Sequence, residues 1–264
     1  MTGVLGLPVT VKACLFDLDG VLTPTSKVHA AAWKDLFDGY LRERSARTGE
    51  PFVPFDQVAD YAEFVDGRPR ADGTRGFLAS RRIALPEGGS LPGGGGDPAE
   101  GETVESLSAR KDALFRQQVQ VHGVRPYEGS VRYLHAVRAA GLRRAVVSAS
   151  ANCAEIVRAA GIEDLLEVRI DGVVARAEGL PGKPRPDTFL AAARLLGVAP
   201  AEAAVFEDAL AGVEAGRAGG FGIVIGVDRL GQAEQLLAHG ADIVVQDLSE
   251  LIDASAPGAV AGAQ

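Results

Sequence analysis

The chain has 264 residues, with 27 Lys and Arg against 35 Asp and Glu, a formal net charge of −8. That balance argues against broad nucleic-acid binding, which needs a basic face, and the 47% hydrophobic content excludes general disorder and supplies a sizeable core. No apolar run reaches the roughly 18 residues of a membrane span, and the first eight residues lack the basic flank of a signal peptide. The expected setting is cytoplasmic, with neither membrane nor nucleic acid as partner. At about 150 residues per domain, the length allows one large domain or two modest ones. Cys14 and Cys153 both lie beside apolar segments and read as buried thiols rather than a bridge.

In chain order, residues 11–16 form a short apolar run that stops at Asp17-Leu18-Asp19-Gly20. They read as a buried strand. Residues 26–125 carry helical patterns over 28–47, 57–65, 75–82 and 103–122 without a strand signature. A loop rich in Pro, Gly and Asp around Gly93-Gly94-Gly95-Gly96 interrupts them. Helical patterns at 131–140, 153–160, 187–196 and 209–218 then alternate with apolar runs at 144–147, 203–206, 221–225 and 242–245. Gly141, Gly161, Gly197 and Gly219-Gly220 follow the helical runs, as a helix stop does. Such alternation implies βα units and a parallel sheet covered on both faces. The predicted fold is α/β: a doubly wound, Rossmann-like parallel-sheet core made of 1–25 and 126–264, with an inserted α-helical cap over 26–125.

Ligands of such sheets bind beyond the carboxyl ends of the strands. Three strands end in polar groups there: Asp17 and Asp19, then Ser148, then Glu207 and Asp208. Lys183 stands in the loop before the helix that starts near 187. Crowded carboxylates are unfavourable without a cation, and several oxygens around one open position suit Mg²⁺. Asp17 and Asp19, two residues apart at a strand end, can share one crevice. One can attack phosphorus as a nucleophile and the other can move a proton. Lys183 and Mg²⁺ would neutralise a transferring phosphoryl group, while Ser148 and turn N–H groups would bind its oxygens.

Taken singly, each group has a plainer reading. Asp-x-Asp-Gly can be a turn, although an EF-hand loop fails because Gly20 falls at position four and Val28 at position twelve. Ser148 can be a helix N-cap, Glu207-Asp208 can favour the next helix N-terminus, and Lys183 can be solvated. Their joint occurrence in this order, each at a strand end or sheet-edge loop, favours the chemical reading.

Together, Asp17-Leu18-Asp19-Gly20-Val21, Ser148, Lys183 and Glu207-Asp208 resemble the four motifs of the haloacid dehalogenase superfamily, and the insert resembles its α-helical cap. A narrower resemblance is to the β-phosphoglucomutase-like branch. Thr25, His29 and Trp33 stand where that branch has hinge and substrate-contact residues. Asp66-Gly67-Arg68-Pro69-Arg70 resembles its cap loop, so Gly67 and Arg70 match the glycine and arginine that hold the non-transferring phosphate. Arg110-Lys111-Asp112 resembles its Arg-Lys-Asn, which carries over Lys111. Ser148-Ala149-Ser150-Ala151-Asn152 resembles its Ser-Ala-Ser-x-Asn loop, which carries over Ala149, Ser150 and Asn152 as substrate-binding positions. Departures are the long insert between Arg70 and Lys111, Arg68-Pro69 after the loop glycine, Ala151 in place of a lysine, and Asp112 in place of an asparagine.

The resemblance implies a phospho-aspartate at Asp17, with Asp19 as general acid/base, and Ser148, Lys183 and His29 as further catalytic residues. It implies Mg²⁺ held by the Asp17 carboxylate, the Asp19 carbonyl and Asp208, with Glu207 a direct or near ligand. The implied reaction interconverts β-D-glucose 1-phosphate and glucose 6-phosphate through glucose 1,6-bisphosphate. Hydrolysis of small sugar or polyol phosphates by the same carboxylates is the alternative. Taken without the resemblance, His29 reads as a structural histidine at a helix start. Trp33, one turn on and sharing its face, reads equally as cap core or substrate contact. The partner is a phosphorylated sugar, and nothing in the sequence calls for more than a monomer.

Overall fold

Four consecutive buried residues, Ala13–Phe16, form β1. It is the strand from which the sheet is built outward. β2 (Arg143–Val147) and β4 (Ala203–Glu207) flank it in parallel, β3 (Val168–Ile170) lies outside β2, and β5 (Ile223–Val227) and β6 (Ile243–Val245) extend the other side. The order is β3-β2-β1-β4-β5-β6 and every pairing is parallel. The computed structural model describes residues 4–88 and 102–253. The predicted Gly93–Gly96 loop lies outside the described residues.

The chain divides into two compact units, Met1–Thr25 with Val124–Gln264, and Ser26–Gly123. In the first unit, Leu15 and Val205 share a cluster with Phe189 on one sheet face. On the other, Phe16 and Phe206 stack at 4.5 Å and Tyr133 meets Phe206 edge-on. A sheet covered on both faces has no polar alternation to show, which is why its strands read as continuous apolar runs. Among the described residues no helix is long and apolar enough to cross a membrane. Both cysteines are free and buried, and burial pushes both thiols up in pKa.

The second unit contains α1 (Thr25–Thr48, whose first residue belongs to the first unit), a π-helical turn at Tyr61–Val65, α2 (Arg70–Ser80) and α3 (Val104–His122). Its core is aromatic: Phe37 lies 5.0 Å from Trp33, 5.3 Å from Phe55 and 4.1 Å from Phe77 between ring centres. α2 starts at Arg70, five residues earlier than the pattern suggests, directly after Pro69. Gly73 hides the helix in sequence, yet its missing Cβ lets the backbone of Val65 approach to 3.2 Å of where a Cβ would sit. Where a helix is expected over 57–65, Asp56 Oδ1 accepts from the N–H groups of Val58 and Ala59 as an N-cap does, and the chain winds on into the π-helical turn Tyr61–Val65.

The remaining helices belong to the first unit: α4 (Glu128–Ala139), α5 (Cys153–Ala159), α6 (Gly172–Ala177), α7 (Asp187–Leu196), α8 (Leu210–Ala218), α9 (Ala233–Ala238) and α10 (Ser249–Asp253). α8 begins beneath the end of β4. A Cβ on Gly212 would lie 1.9 Å from the carboxyl carbon of Glu207, so only glycine leaves room for that buried side chain. Gly212→Ala should therefore displace α8 or Glu207 and cost about 1–3 kcal/mol, the usual range for overpacking. Urea unfolding measures this, and an unchanged midpoint would show that Glu207 is not confined there.

Candidate active site

Register brings the polar strand ends together. Phe16 is level with Val146 on one side and Phe206 on the other, so Asp17 comes level with Val147 and Glu207. The Asp17 N–H donates to the Phe206 carbonyl at 2.9 Å, continuing the ladder one step. Beyond it the chain turns sharply. Gly20 has φ +104°, and a Cβ there would lie 1.7 Å from Asp208 Oδ2, so the turn needs glycine for both conformation and space.

Lys183 ties the carboxylates together. Its Nζ lies 2.5 Å from Asp17 Oδ1 and 2.5 Å from Glu207 Oε1, and it donates to the Val147 carbonyl at 3.0 Å. Asp17 Oδ2 accepts the Asp19 N–H at 2.7 Å. All three ionisable groups are buried. Burial raises the Asp17 pKa, and Lys183 only partly offsets it. Burial likewise pushes Glu207 up to about 8 against the pull of Lys183. Burial alone would lower the pKa of Lys183, but Asp17 and Glu207 outweigh it and hold the ammonium charged.

Asp19 turns the other way. Thr25 Oγ1 donates to Asp19 Oδ1 at 2.5 Å and Ser148 Oγ donates to Oδ2 at 3.2 Å. Thr25 is itself 2.6 Å from Thr23 Oγ1. Thus Thr25 and Ser148, expected at substrate and phosphate, have their hydroxyls on the Asp19 carboxylate in this structure. Ser148 does not cap α5, whose N-cap is Asn152. It accepts the Ser150 N–H at 3.1 Å, and Ser150 Oγ accepts the Asn152 N–H at 3.2 Å, which closes the 148–152 turn. Ala149 lies in that turn, where its carbonyl would be 2.6 Å from a Cβ on Gly172.

Within the inserted unit the structure gathers three of the expected residues. His29 stacks on Phe115 with ring centres 3.9 Å apart, and Lys111 Nζ contacts His29 Nδ1. An ammonium only donates, so a charged Lys111 makes His29 Nδ1 the acceptor of that contact. Lys111 Nζ also lies 5.1 Å from the Trp33 ring centre and 5.0 Å from that of Phe115, within cation–π range. Trp33 itself is 3% exposed and packs into the aromatic core. Gly67 has φ +66° at the turn before α2. Arg70 reaches α3, donating to Asp112 Oδ1 at 2.6 Å and to the Ser108 carbonyl at 3.3 Å. The carboxylate that stands in for an asparagine thus holds the arginine.

A model of the haloacid dehalogenase-like hydrolase family matches residues 11–220. The chain belongs to this family. It is 54% identical over 252 residues to the β-phosphoglucomutase of Mycobacterium tuberculosis, covering 94% of each chain. It is 30% identical over 244 residues to the β-phosphoglucomutase of Bacillus subtilis, covering 91% of this chain and 92% of the other. The crystal structure of a hydrolase from Pseudomonas syringae shares the fold, with a TM-score of 0.71 at 21% identity over 92% of this chain and 96% of that one. So does that of a β-phosphoglucomutase from Clostridium difficile, with a TM-score of 0.68 at 23% identity over 91% and 93%.

In this haloacid dehalogenase-like hydrolase, Asp17, Glu207 and Asp208 offer carboxylate oxygens that all lie within 4.8 Å of one another, and all three residues are buried. One ammonium cannot balance three carboxylates, and the all-oxygen donor set fits a hard divalent cation. The Asp19 side chain stands outside that group. Sequence reasoning missed Gly212, whose signal was a glycine early in a helix, and the 228–232 loop after β5, which carries no acidic motif.

The raised Glu207 pKa gives a pH test. In the unfolded chain this carboxyl titrates near 4.5 and in the folded chain near 8. Its stabilising contribution is present below 4.5 and is lost as pH rises toward 8. A cation that binds the charged form competes with that proton. The rise in melting temperature on adding Mg²⁺ in place of EDTA should therefore be small at pH 5 and grow toward pH 8. A rise that is constant or shrinks with pH would contradict proton–cation competition at this cluster.

Proposed function

We propose that this chain is a phosphomutase that interconverts β-D-glucose 1-phosphate and glucose 6-phosphate through glucose 1,6-bisphosphate. The observation that carries the reading is the 54% identity, over 94% of both chains, to a protein named β-phosphoglucomutase. The chemistry of the strand ends supports it.

In this reading an Asp17 oxygen attacks the phosphorus of a bisphosphate. The new O–P bond forms as the bond from phosphorus to the sugar oxygen breaks, and the leaving oxygen takes a proton from Asp19. In the reverse step Asp19 removes the proton from a sugar hydroxyl as that oxygen attacks the phospho-aspartate. Thr25 and Ser148, both on the Asp19 carboxylate, keep it aimed for those transfers. Lys183 holds Asp17 and Glu207 in place and stabilises the phosphoryl oxygens by charge. Mg²⁺, held by Asp17, Asp208, the Asp19 carbonyl and Glu207, would add Lewis-acid neutralisation of the same oxygens. Ala149, Ser150 and Asn152 line the turn that receives substrate.

In the cap, Arg70 takes the non-transferring phosphate beside the Gly67 turn. Lys111 joins Arg70 in supplying that distal anion site, and His29 couples cap closure to proton transfer at Asp19. A lid over an aspartyl phosphate keeps water off while a sugar hydroxyl is admitted. The proposed enzyme works as a cytoplasmic monomer.

A hydrolytic reading has one observation in its favour: Asp112 and Ser108 already engage Arg70, which weakens the second anion site a bisphosphate needs. Phosphorus NMR of β-D-glucose 1-phosphate with Mg²⁺ and a trace of glucose 1,6-bisphosphate separates the two. Glucose 6-phosphate without free phosphate is the expected result, and Asp17→Asn should leave no turnover. Free phosphate as the sole product would make the chain a phosphatase.

A further inference from the structure

The loop 228–232 follows β5, a strand whose end carries none of the residues assigned above to the reaction. Asp228 gives it a fixed shape: Oδ1 accepts the N–H groups of Leu230, Gly231 and Gln232 at 3.1, 2.7 and 2.9 Å. Two side chains leave this knot for the acidic cluster. Gln232 Nε2 donates to the Asp208 carbonyl at 3.0 Å. Arg229 Nε donates to the Gly20 carbonyl at 2.8 Å and its Nη1 to the Gln246 carbonyl at 2.6 Å, while the guanidinium lies 3.8 Å from the Tyr127 ring centre. Of the three anchored carbonyls, those of Gly20 and Asp208 belong to residues that already touch, since Gly20 sits against the Asp208 carboxylate.

We propose that Arg229 and Gln232 are positioning residues for the divalent cation. They fix the distance between the Asp17–Gly20 turn and the Asp208 carboxylate, and so set cation affinity without touching the cation. The inference rests on the reading of Asp17, Glu207 and Asp208 as cation ligands. Its physical basis is that all three bonds hold backbone carbonyls. They therefore fix whole loops rather than one rotamer. Mg²⁺ demands near-ideal octahedral distances, so a small relative shift of the two loops is felt at the ion. Groups that orient ligands in this way typically change metal affinity by 10–100-fold when lost.

Calorimetric titration of the full, metal-free chain with Mg²⁺ tests this. Gln232→Ala should raise the Kd for Mg²⁺ about 10-fold, with an unchanged urea midpoint in EDTA and with kcat restored at saturating Mg²⁺. Arg229→Lys retains the charge but cannot reach the Gly20 and Gln246 carbonyls together, and should weaken Mg²⁺ binding in the same direction. A Kd within about twofold of wild type in both variants, while Asp208→Asn abolishes binding, would overturn the positioning role and leave the cation site standing. A wild-type chain that binds no Mg²⁺ would overturn the cation site itself, and the inference with it.

Discussion

One buried ammonium shared by two buried carboxylates governs the architecture around it. Lys183 lies 2.5 Å from both Asp17 and Glu207 and all three are withdrawn from solvent. Removing such charges from water is costly, and mutual attraction compensates only when geometry is tight and the remaining lone pairs are satisfied. The surroundings meet part of that condition, since Glu207 Oε1 has the Lys183 ion pair but no hydrogen bond. The Asp19 N–H serves Asp17, the Val147 carbonyl serves Lys183, and the Ala209 N–H serves Glu207 at 3.2 Å. The residual imbalance, two carboxylates to one ammonium with Asp208 beside them, leaves the cluster suited to a cation.

The sheet makes this arrangement possible. Parallel pairing of β1 with β2 and β4 delivers Asp17, Val147 and Glu207 at one level, and the loops beyond each strand differ only in what they add. β1 adds Asp19, β2 adds Ser148, β4 adds Asp208, and the β5 loop braces the result through carbonyls. In the inserted unit the same economy holds on a helical scaffold. Residues four apart on α1, His29 and Trp33, and residues four apart on α3, Lys111 and Phe115, form one aromatic and cationic group.

Much of this was legible in the sequence because its cause is local. Apolar runs ending in carboxylates mark buried parallel strands, and glycine after helical runs marks their ends. Gly197, with φ +71° after α7, is one such stop. What escaped has no local pattern. β3 is a three-residue edge strand interrupted by Arg169, and α6 buries no residue, so neither shows a stripe. The strand expected at 221–225 slides to Ile223–Val227 because Gly222 must turn close to the Ala201 carbonyl, 2.4 Å from where a Cβ would sit. Side-chain direction was also hidden: sequence places Thr25 and Ser148 at the site, but not that both hydroxyls turn to Asp19. Arg70 was found by its motif, whereas its partner Asp112 lies 42 residues away and only folding unites them.

Lys183 is what makes the buried carboxylates tolerable. The direct measurement is the unfolding free energy of Lys183→Met against wild type, in EDTA, at pH 5 and pH 8. Without the ammonium, Asp17 and Glu207 hold their protons still more strongly in the folded chain, while the unfolded chain releases them near the ordinary carboxylate range. The penalty should therefore grow with pH, reaching on the order of 3–5 kcal/mol at pH 8, and should be clearly smaller at pH 5. A penalty equal at both values, or a variant as stable as wild type at pH 8, would contradict the account.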